Sequence, residues 1–199
     1  MLAAQFATDV FDNATAFEKL EERDGITMSR RAVKGSDYFE YRAEISTTQP
    51  VSALCEVIYD WGTKNPDSPL TTLNKVLDDQ GEVRVVYNQV SAPVVAKRDY
   101  AMTVVRERLD NGNCRVRFRA TNELAPARPD GFVRMNKMWG EWILESKGEG
   151  STRLTYTLFS DPAGSVPPFL VHGSQRSATR DSAARAIEKT KQFLETKPK

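Results

Sequence analysis

Residues 161–173 read Asp161-Pro162-Ala163-Gly164-Ser165-Val166-Pro167-Pro168-Phe169-Leu170-Val171-His172-Gly173, and no further proline follows until Pro198. The opening four residues are typical of a turn, because proline presets φ and glycine accepts positive φ. Ser165 is a candidate N-cap, and the two prolines after it suit a first helical turn, where a missing N–H breaks no bond. The stretch therefore predicts a C-terminal helix, roughly 40 Å long at 1.5 Å per residue.

Before this helix, apolar and polar residues alternate in several short stretches. Three arginines alternate with apolar residues between Cys114 and Thr121, and tight-turn pairs such as Asp24-Gly25 separate the stretches. A period of two with short connections is typical of half-buried antiparallel strands. Strands are predicted at 17–22, 26–33, 38–47, 70–77, 82–90, 100–109, 114–121, 132–145 and 153–160, and helices at 9–20 and from Pro50 to Trp61.

This order of elements indicates an α+β fold, in which a curved antiparallel sheet of about nine strands wraps around the long C-terminal helix. The chain has 199 residues and no shift in composition along its length. We therefore expect one domain, residues 1–199, and a monomer.

The net charge of +1 argues against a nucleic-acid-binding protein that neutralises phosphates. No apolar run of about 18 residues predicts a membrane span. The segment Met1-Leu2-Ala3-Ala4 lacks the features of a signal peptide, so we expect a cytoplasmic protein, or a periplasmic one if a signal was removed before residue 1. We expect Cys55 and Cys114 to be small buried hydrophobes rather than a disulfide framework.

Enzyme signatures are scarce. His172 is the single histidine, and the chain has no Cys-x-x-Cys, P-loop, Gly-x-Gly-x-x-Gly or Gly-x-Ser-x-Gly motif. We expect no metal, no cofactor and no catalytic residue. A nucleophilic pair of Cys55 and His172 is the weaker alternative, because Cys55 lies on the apolar stripe of its predicted helix.

Three stretches together resemble the START family, the steroidogenic-acute-regulatory-related lipid-transfer domains. They are Arg98-Asp99-Tyr100 after the apolar loop 92–97, then residues 131–142, then the Asp-Pro-x-Gly-x-x-Pro-x-x-Leu motif of 161–170. The resemblance covers 17–194 in element order. It implies a helix-grip fold with an internal tunnel that holds one hydrophobic ligand (a sterol, fatty acyl chain or phospholipid) and typically transfers it without chemistry.

The resemblance also implies a gate, formed by the loop 92–96 and the start of the C-terminal helix. An apolar loop between two strands fits a rim that touches a ligand or membrane, but it equally fits a loop packed against the helix. Basic residues near this end provide attraction to an anionic membrane in one interpretation and a solvated face in the other. They are Lys97, Arg98, Arg176 and Arg180.

The sequence departs from the family's pattern at three places. Several members carry a buried arginine where this chain has Val104, and the absence of that charge favours a more apolar ligand than a phospholipid. The usual aromatic-acid step after the first internal helix is replaced by Asn65-Pro66-Asp67. His172 stands where an asparagine-like residue is usual and predicts a titratable group at the tunnel mouth.

Strand parity predicts which side chains face the tunnel, and a slip of one residue would reverse each assignment. The C-terminal helix is predicted to face inward through Leu170, Gly173, Ser177, Ala184, Ile187 and Leu194. The same residues would form plain core if no cavity of several hundred Å³ were present. The predicted ligand-binding residues are Val85, Tyr87, Val94, Val95, Met102, Val104, Val116, Phe118, Met138, Trp142, Tyr156, Leu158, Phe169, Leu170 and Gly173.

We expect a lipid or other hydrophobic small molecule as partner, transient contact with a membrane surface, and no nucleic acid. The first alternative is an enzyme of the helix-grip superfamily, such as a polyketide cyclase or aromatase. Tyr87, Tyr156 and His172 would be its candidate polar groups. A second alternative, a module whose surface responds to ligand, has no support in the sequence.

Overall fold

A computed structural model describes residues 15–64, 70–92, 96–148, 150–164 and 166–196. Within these residues, ten strands and two α-helices follow one another, with a short 3-10 helix at Asn122–Leu124. The helices are α1 (Val51–Lys64) and α2 (Pro168–Thr196). The strands are β1 (Glu18–Arg23), β2 (Ile26–Ala32), β3 (Phe39–Thr47), β4 (Thr71–Asp79), β5 (Val83–Val90), β6 (Lys97–Arg108), β7 (Cys114–Ala120), β8 (Phe132–Arg134), β9 (Lys137–Ser146) and β10 (Thr152–Asp161).

The strands form one sheet in the order β1-β2-β3-β10-β9-β7-β6-β5-β4, and every neighbouring pair along this path is antiparallel. Helix α2 packs on the face that also receives α1. The predicted α+β fold, a curved antiparallel sheet around a long C-terminal helix, is confirmed.

The predicted strand 132–145 is in fact two strands. β8 pairs in parallel with the start of β6, off the main path of the sheet. The chain breaks from it at Met135, whose N–H donates to the Asp99 carbonyl at 3.0 Å, and β9 starts two residues later. Asn122 fixes this break, because its side-chain amide donates to the Met135 carbonyl at 2.5 Å.

Helix α1 fills one end of the curved sheet, as its apolar stripe predicted. Leu54, Ile58 and Tyr59 are each 2% exposed or less, and they belong to a cluster that includes Leu144 and Leu154 of the sheet. The Tyr59 hydroxyl donates to the Gly81 carbonyl at 2.7 Å, which satisfies the one polar atom of that side chain. We call this end of the molecule the packed end.

The two cysteines are bonded to each other, and the expectation of two separate hydrophobes was wrong. Cys55 of α1 and Cys114 at the start of β7 form a disulfide, with their Cα atoms 6.1 Å apart. Both are buried, at 1% and 2% exposure. They lie 59 residues apart in sequence, and only the packing of α1 across β7 brings them together.

The inward face of α2 differs from the predicted one. Its buried residues are Val171, Thr179, Ala183, Ala186 and Thr190. Of the predicted face, Ile187 packs against the core, whereas Leu170 and Leu194 are exposed. Hydropathy could not locate this face because its residues are small or polar. Both buried threonines donate to the carbonyl four residues earlier, Thr179 at 2.9 Å and Thr190 at 2.7 Å.

Several expectations lie outside the described residues. They concern most of the predicted N-terminal helix, the N-cap Ser165, the loop residues Asn65, Pro66 and Asp67, and the gate residues Val94 and Val95. Among the helices described, none is long and apolar enough to cross a membrane.

Candidate ligand cavity

A cavity of about 400 Å³ lies between the inner face of the sheet and the first half of α2. Its volume falls within the range of about 300–1,000 Å³ that is usual for ligand pockets. An ordinary packed core has few voids larger than a water molecule. The lining residues therefore surround a real space rather than forming plain core.

Eight of the predicted residues line this cavity. Adjacent strands present them on one face, because the register pairs Val104 with Phe118 and Val116 with Trp142. The Trp142 and Tyr156 rings stack at a centroid distance of 3.7 Å. The eight are Met102, Val104, Val116, Phe118, Met138, Trp142, Tyr156 and Leu158.

Gly140 lies between Phe118 and Leu158 in the same row of the sheet. A Cβ atom at this position would overlap both the Thr157 carbonyl oxygen and the Phe118 ring. Only glycine therefore leaves room for both the Phe118 ring and the Thr157 carbonyl at this point.

Helix α2 contributes a row of small and polar side chains. Ser174, Gln175, Ala178, Ser182 and Arg185 line the cavity, at the spacing of one helix face. Sequence reasoning missed all five. The recurrence of small residues at three- and four-residue steps was the available signal, and it begins one residue after Gly173 of the predicted face.

Three buried polar atoms of cavity-lining residues lack a hydrogen-bond partner within the described part of the chain. The Asn88 Nδ2, Gln175 Oε1 and Arg185 Nε atoms are buried and have no hydrogen-bond partner there. Burial raises the pKa of Tyr100 to about 12. Burial also raises the pKa of Tyr156, with a smaller contribution from Tyr100, while the charge of Arg185 acts in the opposite direction.

A family model described as START domain matches residues 16–198 of the chain. The chain belongs to the START domain family. It is 27% identical to an uncharacterized protein of Pseudomonas aeruginosa over 76% of this chain and 75% of that one. It is 25% identical to the phosphatidylcholine transfer protein of Rattus norvegicus, over 88% and 89%. The crystal structure of the STAR-related lipid transfer protein of Xanthomonas axonopodis superposes with a TM-score of 0.73, at 24% identity, covering 86% of this chain and 96% of that one.

In this START domain, Val85 and Tyr87 lie on the face of β5 away from the cavity. The register pairs Val86 with Met102 and Asn88 with Tyr100, so even-numbered residues of β5 face inward. Asn88 and Val90 line the cavity in their place. The Tyr87 hydroxyl instead donates to Asp99 Oδ2 at 2.9 Å.

The predicted gate residues at the start of α2 do not line the cavity. Phe169 and Leu170 are 76% and 58% exposed, and a Cβ at Gly173 would meet nothing within 4 Å. His172 rests against the Phe39 ring at a centroid distance of 4.9 Å and is not a lining residue. Among the residues at this end that do line the cavity, Leu70 is 42% exposed, so the cavity reaches the surface beside β4.

The Arg-Asp step of the START domain ties its loops together. Asp99 is fully buried and accepts from Arg134, whose Nη2 lies 2.6 Å from Asp99 Oδ2. Arg98 is 6% exposed and donates to the carbonyls of Pro162, at 3.2 Å, and Ala96. Burial lowers the pKa of Arg98. These bonds join the turn before α2 to the start of β6.

Four cations were predicted to face a membrane. Within the described chain, only Lys97 of these four is exposed and forms no ion pair with a carboxylate. Arg98 is buried, as described above. Arg176 pairs with Glu21 at 2.5 Å, and Arg180 pairs with Asp181 at 3.4 Å. The interpretation as a solvated, internally paired face fits Arg176 and Arg180 better than attraction to an anionic membrane.

Proposed function

We propose that this START domain binds one hydrophobic ligand in the cavity and transfers it between membranes without catalysing a reaction. The observation that best supports this proposal is the cavity of about 400 Å³, whose wall is mainly apolar. A relative is a phosphatidylcholine transfer protein, which supports the transfer of a lipid. The eight predicted lining residues, from Met102 to Leu158, would contact the ligand.

The size of the cavity favours a ligand with one chain or a compact ring system. Its volume lies near the lower end of the usual range for ligand pockets, about 300–1,000 Å³. A phospholipid with two acyl chains and a headgroup would require it to expand. Val104, which is 4% exposed, adds apolar wall where several family members carry an arginine.

Native mass spectrometry of the purified protein, followed by denaturing extraction, tests the proposal. We expect one lipid per chain and its identification after extraction. Ser182→Leu should reduce the bound fraction at least tenfold, because the added side chain occupies the cavity. Ser177→Leu is the matched control, since Ser177 is exposed on the same helix. Failure of the wild-type protein to hold or take up any acyl or sterol probe would refute the proposal.

Transfer requires the ligand to leave through the end where Leu70, Phe169 and Leu170 are exposed, and we propose that these side chains touch the membrane. A Phe169→Ser/Leu170→Ser variant should transfer a fluorescent acyl probe between vesicles at least several-fold more slowly, yet bind that probe with unchanged affinity. Leu109→Ser is the control, because Leu109 is 38% exposed and follows the opposite end of β6. Equal slowing in both variants would contradict the proposed gate.

The alternative function is a cyclase or aromatase, for which the sequence offered three candidate polar groups. Only one of the three lies in the cavity. Tyr156 lines the cavity, whereas Tyr87 and His172 do not. An enzyme that worked through Tyr156 would lose turnover in Tyr156→Phe while still binding its substrate. A carrier would bind and transfer the same ligand with or without that hydroxyl.

The disulfide bears on the compartment. Disulfides persist in oxidising compartments and are rare in the cytosol. The Cys55–Cys114 bond therefore supports an oxidising location, such as a bacterial periplasm, over the cytoplasmic one. Alkylation of the protein inside its native cells, followed by mass spectrometry, tests this: no thiol should react before reduction.

A further inference from the structure

Arg185 differs from the other arginines that face the interior of the sheet. Arg84 and Arg106 lie at the packed end, and each contacts two carboxylates. Arg84 pairs with Asp60 and Asp79, at 2.8 and 3.0 Å, and Arg106 pairs with Glu56 and Glu82, at 2.8 and 2.5 Å.

Arg185 lines the cavity and has no such partner. Its Nε is buried and makes no hydrogen bond to any residue that the structure describes. No aspartate or glutamate belongs to the described residues that line the cavity. The charge of Arg185 acts on Tyr156, a neutral hydroxyl at ordinary pH because burial raises its pKa.

Arg185 is only partly buried, but its Nε is withdrawn from solvent without a partner, and a guanidinium cannot relieve that cost by losing its proton. A ligand with an anionic head would supply the missing partner inside the cavity. A carboxylate matches a guanidinium best, because two parallel N–H···O bonds can form between the planar groups. One cation in a small apolar cavity selects a single negative charge on a single chain.

We propose that Arg185 binds the head of a long-chain carboxylic acid whose hydrocarbon chain occupies the apolar part of the cavity. This inference rests on the proposed function and names the ligand class for the same cavity. It revises the argument from Val104: the strand position lacks a charge, and α2 supplies one from the opposite wall. Tyr156 lines the same cavity as Arg185, so its hydroxyl is the candidate second donor to that carboxylate.

The test compares palmitic acid, methyl palmitate and hexadecan-1-ol, which share a chain and differ in the head. Their affinities for the delipidated protein are measured by displacement of a fluorescent acyl probe. We expect palmitic acid to bind about 10- to 100-fold more tightly than its methyl ester, the scale of one charge-assisted hydrogen-bonded pair. Arg185→Gln should remove that difference and leave the ester's affinity nearly unchanged.

Arg180→Gln is the matched control, because Arg180 lies on the same helix and pairs with Asp181 outside the cavity. It should preserve the preference for the acid. A second readout is thermal unfolding without ligand: Arg185→Met should raise Tm by about 1–2 °C, because it removes a partly buried guanidinium whose Nε has no partner in the described chain. Arg180→Met should not raise Tm.

The outcomes separate this inference from the proposed function. Equal affinities for all three probes in the wild-type protein and in Arg185→Gln would overturn the role of Arg185 and leave a carrier of apolar ligands. Tighter binding of cholesterol than of palmitic acid would overturn the ligand class. Failure to bind any of these probes would overturn both proposals.

Discussion

Two helices cover the same concave sheet, but the spaces beneath them differ. Beneath α1 the side chains Leu54 and Tyr59 are fully buried against Leu144 and Leu154. Beneath the first half of α2 lies the cavity, and Ile58 of α1 forms part of the boundary between the two spaces. One sheet therefore supports the packed end beneath α1 and a hollow end, which is the cavity beneath the first half of α2.

The helix residues account for this difference. At the packed end α1 presents leucine, isoleucine and tyrosine. At the cavity α2 presents Ser174, Ala178 and Ser182, which are too short to reach the sheet. The lesson is that a cavity can be built by small residues on one helix, with no change in the apolar character of the sheet that faces it.

The arginines that face the two spaces also differ in their carboxylate partners. Arg84 and Arg106 lie over the Tyr59 ring at the packed end, at 4.1 and 4.3 Å, and their carboxylate partners come from α1, β4 and the turn before β5. Arg185, at the hollow end, has no carboxylate partner in the described chain. The arginines of the packed end therefore have carboxylate partners within the chain, whereas the proposed ligand would supply the partner of Arg185.

The largest effect should come from the disulfide, which belongs to the packed end. Replacing Cys55 and Cys114 by alanine should lower the free energy of unfolding by about 4 kcal/mol, because the bond closes a long loop in the unfolded chain. Urea unfolding measures the loss, and reduced wild-type protein should show a similar value. A change below about 1 kcal/mol in both samples would mean that the bond does not hold α1 on the sheet.

The next prediction compares equal deletions in the two spaces. Leu54→Ala should cost about 2–5 kcal/mol of unfolding free energy, because it opens a new void in close packing. Leu158→Ala removes the same atoms beside a space that is already open, so it should cost about 2 kcal/mol or less. Urea unfolding of ligand-free protein tests the difference. Equal costs would show that the hollow end is as tightly packed as the other.

A smaller effect should appear at alkaline pH. Burial raises the pKa of Tyr59 from 10.0 to about 12. Below pH 10 the hydroxyl is neutral in both folded and unfolded chains, so its full contribution to stability is present. Between pH 10 and 12 the unfolded chain ionises first, so the free energy of unfolding should fall by roughly 2 kcal/mol from this group.

The matched variant for this titration is Tyr59→Phe. It should be less stable than wild type near pH 8, because it lacks the bond to Gly81, but it should lose less stability between pH 10 and 12. Parallel curves for the two proteins would show that Tyr59 is not the group responsible. Tyr100, whose pKa is also raised to about 12, provides the corresponding measurement in the cavity wall.

Local patterns predicted most elements, and they failed where a distant element decides the outcome. The period of two located the strands within a few residues, and it placed Met102, Val104 and Phe118 on the cavity face. It could not decide the register of β5, where Val86 and Asn88 face inward in place of Val85 and Tyr87. The order of pairing between strands, and not the strand's own pattern, determines that choice.

The disulfide and Arg185 were missed for related reasons. Nothing in the sequence near Cys55 indicates that α1 packs on Cys114, 59 residues away. Arg185 has the appearance of a solvent-facing residue in a polar helix, because the inward face of α2 carries little hydropathy signal. Both features depend on how a helix docks on the sheet, and only the assembled fold shows that.

Gly140 determines a dimension of the cavity by having no side chain. Any side chain there would meet both the Phe118 ring and the Thr157 carbonyl oxygen, so the ring would have to move toward the cavity and the backbone of the sheet would have to shift as well. Gly140 lies in the row of the sheet that faces the cavity, so its missing side chain helps to set the width between sheet and helix there. Gly140→Ala should therefore narrow the cavity beside Phe118 and also lower the stability of the sheet at this row.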